Sequence, residues 1–245
     1  MMQKREEFVR PGVALSDVFL TSLSASFIIQ IHAPFSSVFG LDLANAYYSF
    51  SFFQFSVGKP THPQPVKLVA SLICGNNEAL CAALGHMSSR WGSLDFVSEI
   101  MAFDYTDYYE EEMGKNLWRK IVSFEKLRQP DRLSHIKQST NGIEALLSPE
   151  RSRRSVNIDP GYINAHHLIL ATTKPGPHRP YLRDGIYADL ALLYTKKTFR
   201  SLRWTYPDYQ SEKMIATMNI IRTKYLFQAR KVGGSRPHPP GDPVV

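Results

Sequence analysis

The stretch Asp104-Tyr-Thr-Asp-Tyr-Tyr-Glu-Glu-Glu-Met-Gly114 puts five carboxylates and three tyrosines within eleven residues. Three further clusters share that mixture: Val156-Asn-Ile-Asp-Pro-Gly-Tyr162, His178-Arg-Pro-Tyr-Leu-Arg-Asp-Gly-Ile-Tyr-Ala-Asp189 and Trp204-Thr-Tyr-Pro-Asp-Tyr209. Carboxylates, tyrosines, a His-Arg pair and turn-forming Pro and Gly are the materials of a polar pocket. If a helical turn starts near Asp107, then Asp107, Glu110 and Glu111 share one side. Crowded carboxylates need a cation between them. That makes them ligands for a hard divalent metal, partners of Arg or Lys, or a substrate-facing base. A solvated acidic turn at a helix N-terminus is the plain alternative.

Asp159 leaves a strand into what reads as a tight Pro-Gly turn, a usual place for a functional side chain on a rigid frame. An Asx-turn explains the same pattern without function. His178 and Arg179 combine a group that titrates near neutrality with a planar anion clamp. Nine of the twelve tyrosines lie between residues 105 and 209, able to stack on a base or simply to cover a sheet. The candidate acid/base residues are therefore Asp159, Glu110 and His178. The candidate substrate contacts are Asp104, Tyr108, Tyr162, Arg179, Tyr187 and Tyr206. The ligand such a site suits is a phosphorylated or nucleotide-like small anion, with a divalent metal as the candidate cofactor. A non-catalytic nucleic-acid or regulatory module, and a structural adaptor, are the rival readings.

The absent motifs narrow the chemistry. The chain has no Gly-x4-Gly-Lys-Ser/Thr loop, no Gly-x-Gly-x-x-Gly fingerprint, no Cys-x2-Cys pair, no His-Glu-x-x-His and no Gly-x-Ser-x-Gly elbow. His166 and His167 are neighbours and diverge on any regular element, so they make a poor metal pair. The net charge of +7 points toward nucleic acid only weakly, because more than half of the excess lies beyond residue 210. Arg151-Ser-Arg-Arg154 is the one local basic cluster, either a solvated loop or a phosphate contact. Two cysteines, Cys74 and Cys81, suit a reduced protein without a disulfide framework.

These groups need elements to carry them. Val66 to Cys74 is a short apolar run closed by Gly75, so a buried strand. Asn76 caps a helix in which Leu80, Ala83, Leu84, Met87 and Trp91 share a face. Strands are expected at Leu94–Tyr105, Leu117–Phe124 and Ser155–Ile158, the last closed by Asp159-Pro-Gly. Leu133, Ile136, Thr140, Ile143 and Leu147 mark a second helix. This β-α-β-β-α-β order is that of a ferredoxin-like split βαβ core, an antiparallel sheet with two helices on one face. Strand-like runs at 168–172, 186–194 and 199–204 extend it. Met214, Met218, Ile221 and Tyr225 mark a C-terminal helix. Residues 231–245, rich in Pro and Gly, are expected to be disordered.

The same middle region resembles the bacterial family catalogued as "domain of unknown function 4416". The resemblance runs over about residues 65–230. It is carried by Pro65-Val-Lys-Leu, Phe103-Asp-Tyr-Thr-Asp-Tyr-Tyr-Glu-Glu-Glu-Met-Gly114, Val122-Ser-Phe-Glu, Val156-Asn-Ile-Asp-Pro-Gly-Tyr162, Leu170-Ala-Thr-Thr-Lys174, His178-Arg, Gly185-Ile-Tyr187 and Trp204-Thr-Tyr-Pro-Asp-Tyr209. It implies a small soluble cytoplasmic protein with one α+β domain, and brings no activity. Residues 1–64 stand outside it as an atypical extension. Asp17 and Asp42 are the only charges between residues 11 and 58. Translated upstream DNA ahead of a native start at Val57, a genuine disordered extension and a targeting segment all remain open for this stretch. Val18–Ala33 is too short and too polar for a membrane span, so no membrane partner is expected.

Overall fold

The computed structural model describes residues 18–23, 26–31, 58–148 and 153–233. The chain divides into two compact units, residues 1–61 and 62–245. In the first, β1 (Val18–Leu23) and β2 (Ser26–Ile31) form an antiparallel hairpin. The sequence of this stretch reads as irregular, yet Val, Ile, Phe and Thr concentrate in these two runs, and such residues favour extended chain. The other expectations for residues 1–57 lie outside the described residues. Of the tail expected to be disordered from residue 231, residues 231–233 continue the last helix, while the rest lies outside the described residues.

The second unit runs β3 (Lys67–Cys74), α1 (Asn77–Trp91), β4 (Leu94–Val97), β5 (Met101–Ala102), α2 (Glu110–Met113), β6 (Trp118–Phe124), α3 (Leu133–Leu147), β7 (Val156–Ile163), β8 (His167–Thr172), β9 (Tyr181–Arg183), β10 (Ile186–Thr195), β11 (Thr198–Ser201) and α4 (Glu212–Gly233). Nine strands make one antiparallel sheet in the order β11-β10-β8-β7-β3-β6-β4, with β5 beside β6 and β9 beside β10. The class is α+β.

Alternation along β3 explains the layering, since successive side chains point to opposite faces. Leu68, Ala70, Leu72 and Cys74 meet Leu80, Ala83 and Met87 of α1 and Ile136 and Ile143 of α3. Val69, of the other parity, packs in a cluster with Met214, Met218 and Ile221 of α4. Helices therefore cover both faces. Asn76 caps α1 through its side chain, which accepts the Ala79 N–H at 2.8 Å. The fully buried Lys67 donates to Asp95 and to Gln228 (2.7 Å), tying the start of β3 to β4 and α4.

Two strands differ from their sequence outlines. The expected strand 94–105 is interrupted after Val97. There Ser98 turns its Oγ to accept the Ile121 N–H at 2.9 Å, taking the place of a ladder bond. The expected strand 155–158 does not end at Asp159-Pro-Gly but continues to Ile163, paired with β3 along its whole length. Pro160 is tolerated because β8 joins β7 only from Gly161 onward, leaving residues 156–160 an edge on that side. Ile158 has the same parity as Pro160. Its N–H and C=O go to side chains of α3 and not to β3, so the donor that proline lacks would not have served the β3 ladder.

After Ile163 the chain turns through Asn164. Its Oδ1 accepts the N–H groups of His166 and His167 at 2.8 and 2.9 Å. Its Nδ2 must then donate to His167 Nε2, at 3.0 Å, which places the imidazole proton on Nδ1. Burial and the neighbouring His166 push this imidazole down to about 4. The unfolded value is about 6.5, so the unfolded chain binds the extra proton between the two. The stability contributed by neutral His167 is complete above pH ~6.5 and is lost as pH falls through the folded value, by up to about 3 kcal/mol. Urea unfolding of wild type and His167→Gln across that window checks this. The variant's stability is expected to fall less steeply on acidification; parallel slopes would refute the assignment.

Candidate functional site

β7 and β8 pair only at Gly161–Ile163 and then splay, β8 following β10 instead. The opening is a cavity of about 610 Å³. Its floor is the free edge of β7 with Asn157 and Asp159. One wall is α3, which presents Lys137, Asn141 and Glu144 at i, i+4 and i+7 on one helical face. The opposite wall is Leu170–Lys174 with Arg179 and Asp189. The segment around Tyr105–Tyr109 and the turn Tyr206–Tyr209 complete it.

The α3 face is built to satisfy the unpaired strand edge. Glu144 Oε1 accepts the Ile158 N–H at 2.7 Å, and Lys137 Nζ donates to the Ile158 carbonyl at 2.9 Å. Lys137 also reaches Asp159 Oδ1 at 3.1 Å, and Asn157 Nδ2 donates to Asp159 Oδ2 at 2.7 Å. Burial alone would raise the Asp159 carboxyl, but Lys137 and the Asn157 amide outweigh it and hold the group below the usual carboxylate range. Glu144 goes the other way, because burial is its largest influence. Arg154 fastens the α2 segment to this wall, donating to Glu112 at 2.6 Å, Glu144 at 3.2 Å and Asn157 at 3.0 Å, with its guanidinium over the Tyr109 ring. Burial, and then the nearby Asp159, push the Tyr109 phenol well up, so it stays neutral.

Arg119 of β6 is the outstanding group. It is 4% exposed and lies between the rings of Phe103 and Tyr209, at 4.8 and 5.1 Å. Nη2 pairs with Asp208 at 2.5 Å, while Nε and Nη1 are buried without a partner among the described residues. In Arg179, by contrast, every guanidinium nitrogen has an acceptor. Arg179 donates to Asp189 at 2.9 Å, to Tyr206 Oη at 2.6 Å and to the Lys174 carbonyl at 3.3 Å. Lys174 donates to Tyr108 Oη at 3.0 Å and lies over that ring.

Of the candidate acid/base and substrate-contact residues, Asp159, Tyr108, Arg179 and Tyr206 line this cavity together, as does Arg154 of the basic cluster. The other candidates do not. Asp104 borders a neighbouring cavity of about 220 Å³ that shares Arg119 and Asp208. Glu110 opens α2 exposed, and it is Glu112 that turns to Arg154. His178 is behind the wall, stacked on Trp204 at 5.4 Å, with Nε2 3.8 Å from Asp189. Tyr162 packs beside Leu133 and Ile169, away from the cavity, and Tyr187 meets Tyr181 edge-on. Among the described residues no three His, Cys, Asp or Glu side chains are grouped as metal ligands. No helix among them is long and apolar enough to cross a membrane.

Sequence reading missed Lys137 and Glu144, which flank the apolar stripe of α3 and look like an ordinary solvated face. It also missed Arg119, for which a signal existed: its parity is that of Ile121 and Ser123, both buried. A charged residue on an inward parity invites a partner or a ligand.

No curated protein and no solved structure matches the chain. A family model does, over residues 64–225, which include every residue that lines the cavity, and the chain belongs to that family, Domain of unknown function (DUF4416).

Proposed function

We propose that the cavity between β7, β8 and α3 binds a small phosphorylated or nucleotide-like anion. The observation that carries this reading is Arg119. Leaving buried donors of a guanidinium unpaired is costly, and an incoming oxyanion supplies the missing acceptors in the planar geometry that phosphate and carboxylate offer. The rings of Phe103 and Tyr209 hold the group in place beforehand, so little ordering remains to be done on binding. In this reading Arg179 shapes the wall and Arg119 grips the ligand. Asp159, held ionised by Lys137, is a weak proton acceptor at neutral pH and suits a ligand hydroxyl. The site is accordingly read as one of recognition, with acid/base chemistry the less supported alternative. We also read β3-α1-β4-β6-α3-β7 as a ferredoxin-like split βαβ unit, supported by the strand order β7-β3-β6-β4.

Calorimetric titration with inorganic phosphate, sugar phosphates and nucleotides tests the binding reading. At least one phosphorylated probe is expected to bind wild type. Arg119→Gln is expected to lower its affinity at least about tenfold, in line with loss of a charged hydrogen bond. Lys174→Ala, a change at the exposed mouth, serves as the check should Arg119→Gln unfold, and is expected to weaken binding in the same direction. If no phosphorylated probe binds, or if both folded variants bind as wild type does, the reading fails. Tighter binding of a single-stranded oligonucleotide than of any mononucleotide would favour the nucleic-acid alternative.

A further inference from the structure

We infer that the ligand is a nucleoside monophosphate, one phosphoryl group joined to a planar ring, and not a di- or triphosphate or a bare sugar phosphate. This rests on the anion-binding reading above and adds the ligand's charge and shape.

Charge comes first. Each carboxylate lining the cavity already holds a cation: Asp208 with Arg119, Asp159 with Lys137, Glu144 with Arg154 and Asp189 with Arg179. Lys174 is the one lining cation without a carboxylate partner among the described residues. The lining is thus nearly balanced, and Glu112 behind Arg154 brings it closer still to neutrality. Lys174 and the spare donors of Arg119 can serve one phosphoryl group of about −1.5 to −2 charge. A triphosphate would set several more negative charges among four fixed carboxylates, and like charges at such range repel strongly in a partly dry site.

Shape comes second. A cavity of about 610 Å³ lies within the range of roughly 300–1,000 Å³ usual for drug-sized ligands, so a phosphate alone leaves most of it empty. Three of its exposed lining residues are tyrosines. Tyr105, Tyr108 and Tyr206 are 49%, 55% and 49% exposed. Lys174 covers one face of Tyr108 and Arg179 lies over Tyr206, an arrangement that strengthens stacking against a flat ring. Tyr206 shares a short turn with Asp208, the residue that holds Arg119. A stacking ring and the anchored guanidinium are thereby fixed to one another. Asp159 and Asn157 on the floor offer an acceptor and an amide for sugar hydroxyls.

The test is titration of the full chain, in buffer with EDTA, with adenosine and guanosine 5′-monophosphates, the corresponding triphosphates, adenosine and ribose 5-phosphate. A nucleoside monophosphate is expected to bind at least about tenfold tighter than its triphosphate, its nucleoside and ribose 5-phosphate. Tyr108→Phe, which loses only the hydroxyl that holds Lys174, is the reference. Relative to it, Tyr108→Leu is expected to remove about a further tenfold of the monophosphate affinity and no further affinity for ribose 5-phosphate, as stacking requires. Equal or tighter binding of the triphosphate, or of ribose 5-phosphate, overturns this inference and leaves the anion site standing. Equal further loss of both ligands on going from Tyr108→Phe to Tyr108→Leu overturns the stacking role. Failure of every phosphorylated probe overturns both readings at once.

Discussion

Gly161→Ala is expected to destabilise the protein by about 3 kcal/mol, the upper part of the range for overpacking. A Cβ at residue 161 would lie 2.3 Å from the Ile169 carbonyl oxygen, 2.9 Å from Leu170 Cδ2 and 3.2 Å from Leu170 Cα. Two of these are backbone atoms of the neighbouring strand, so no rotamer change relieves the clash. The strands must part at the one place where β7 and β8 pair. That pairing joins β11, β10 and β8 to the rest of the sheet, and it fixes where the splay begins. The substitution therefore strains the hinge of the cavity as well as the fold. Urea denaturation read by circular dichroism checks the prediction. A loss below about 1 kcal/mol would mean that β8 shifts aside freely and that the glycine answers no packing demand.

The same three residues show what the sequence could and could not disclose. Asp159, Pro160 and Gly161 carry the composition of a turn, and a reading residue by residue ends the strand there. In the fold all three belong to β7, which is paired on one side only at Asp159 and Pro160 and on both sides from Gly161. Proline costs nothing where no neighbour wants its N–H, and glycine admits β8. Composition cannot tell that case from a turn, because the deciding fact is the distance to a strand that comes later in the chain. Legible elements were those whose signal is local: the short apolar run of β3, the Asn76 cap of α1, the apolar stripes of α3 and α4. The candidate residues that line the cavity, Asp159, Tyr108, Arg179 and Tyr206, all stand in clusters of unusual composition. Lys137 and Glu144 act singly on a regular helix with nothing near them in sequence to mark them, and Arg119 is marked only by sharing the parity of the buried Ile121 and Ser123. His178 stands out in sequence because it neighbours an arginine, and its ring stacks on Trp204 outside the cavity lining.

Glu144→Ala is the second substitution with a large expected effect, about 3 kcal/mol or more. Glu144 is buried on α3, and its two carboxylate oxygens do different work. Oε1 accepts the Ile158 N–H and Oε2 accepts from Arg154. Alanine leaves a buried backbone donor unpaired on the free edge of β7. It also removes the negative charge that faces Lys137 and Arg154. Either loss alone costs about 1–3 kcal/mol, and no β8 residue is opposite Ile158 to take over. Glu144→Gln separates the two contributions. Its carbonyl oxygen can still accept the Ile158 N–H, while its amide faces Arg154 with no charge. The glutamine variant is expected to retain at least half of the stability that alanine loses. Equal losses in both variants, measured by urea unfolding at neutral pH, would assign the effect to charge. The splayed edge of β7 would then be held open by electrostatics between α3 and Arg154, and the capping of Ile158 would be incidental.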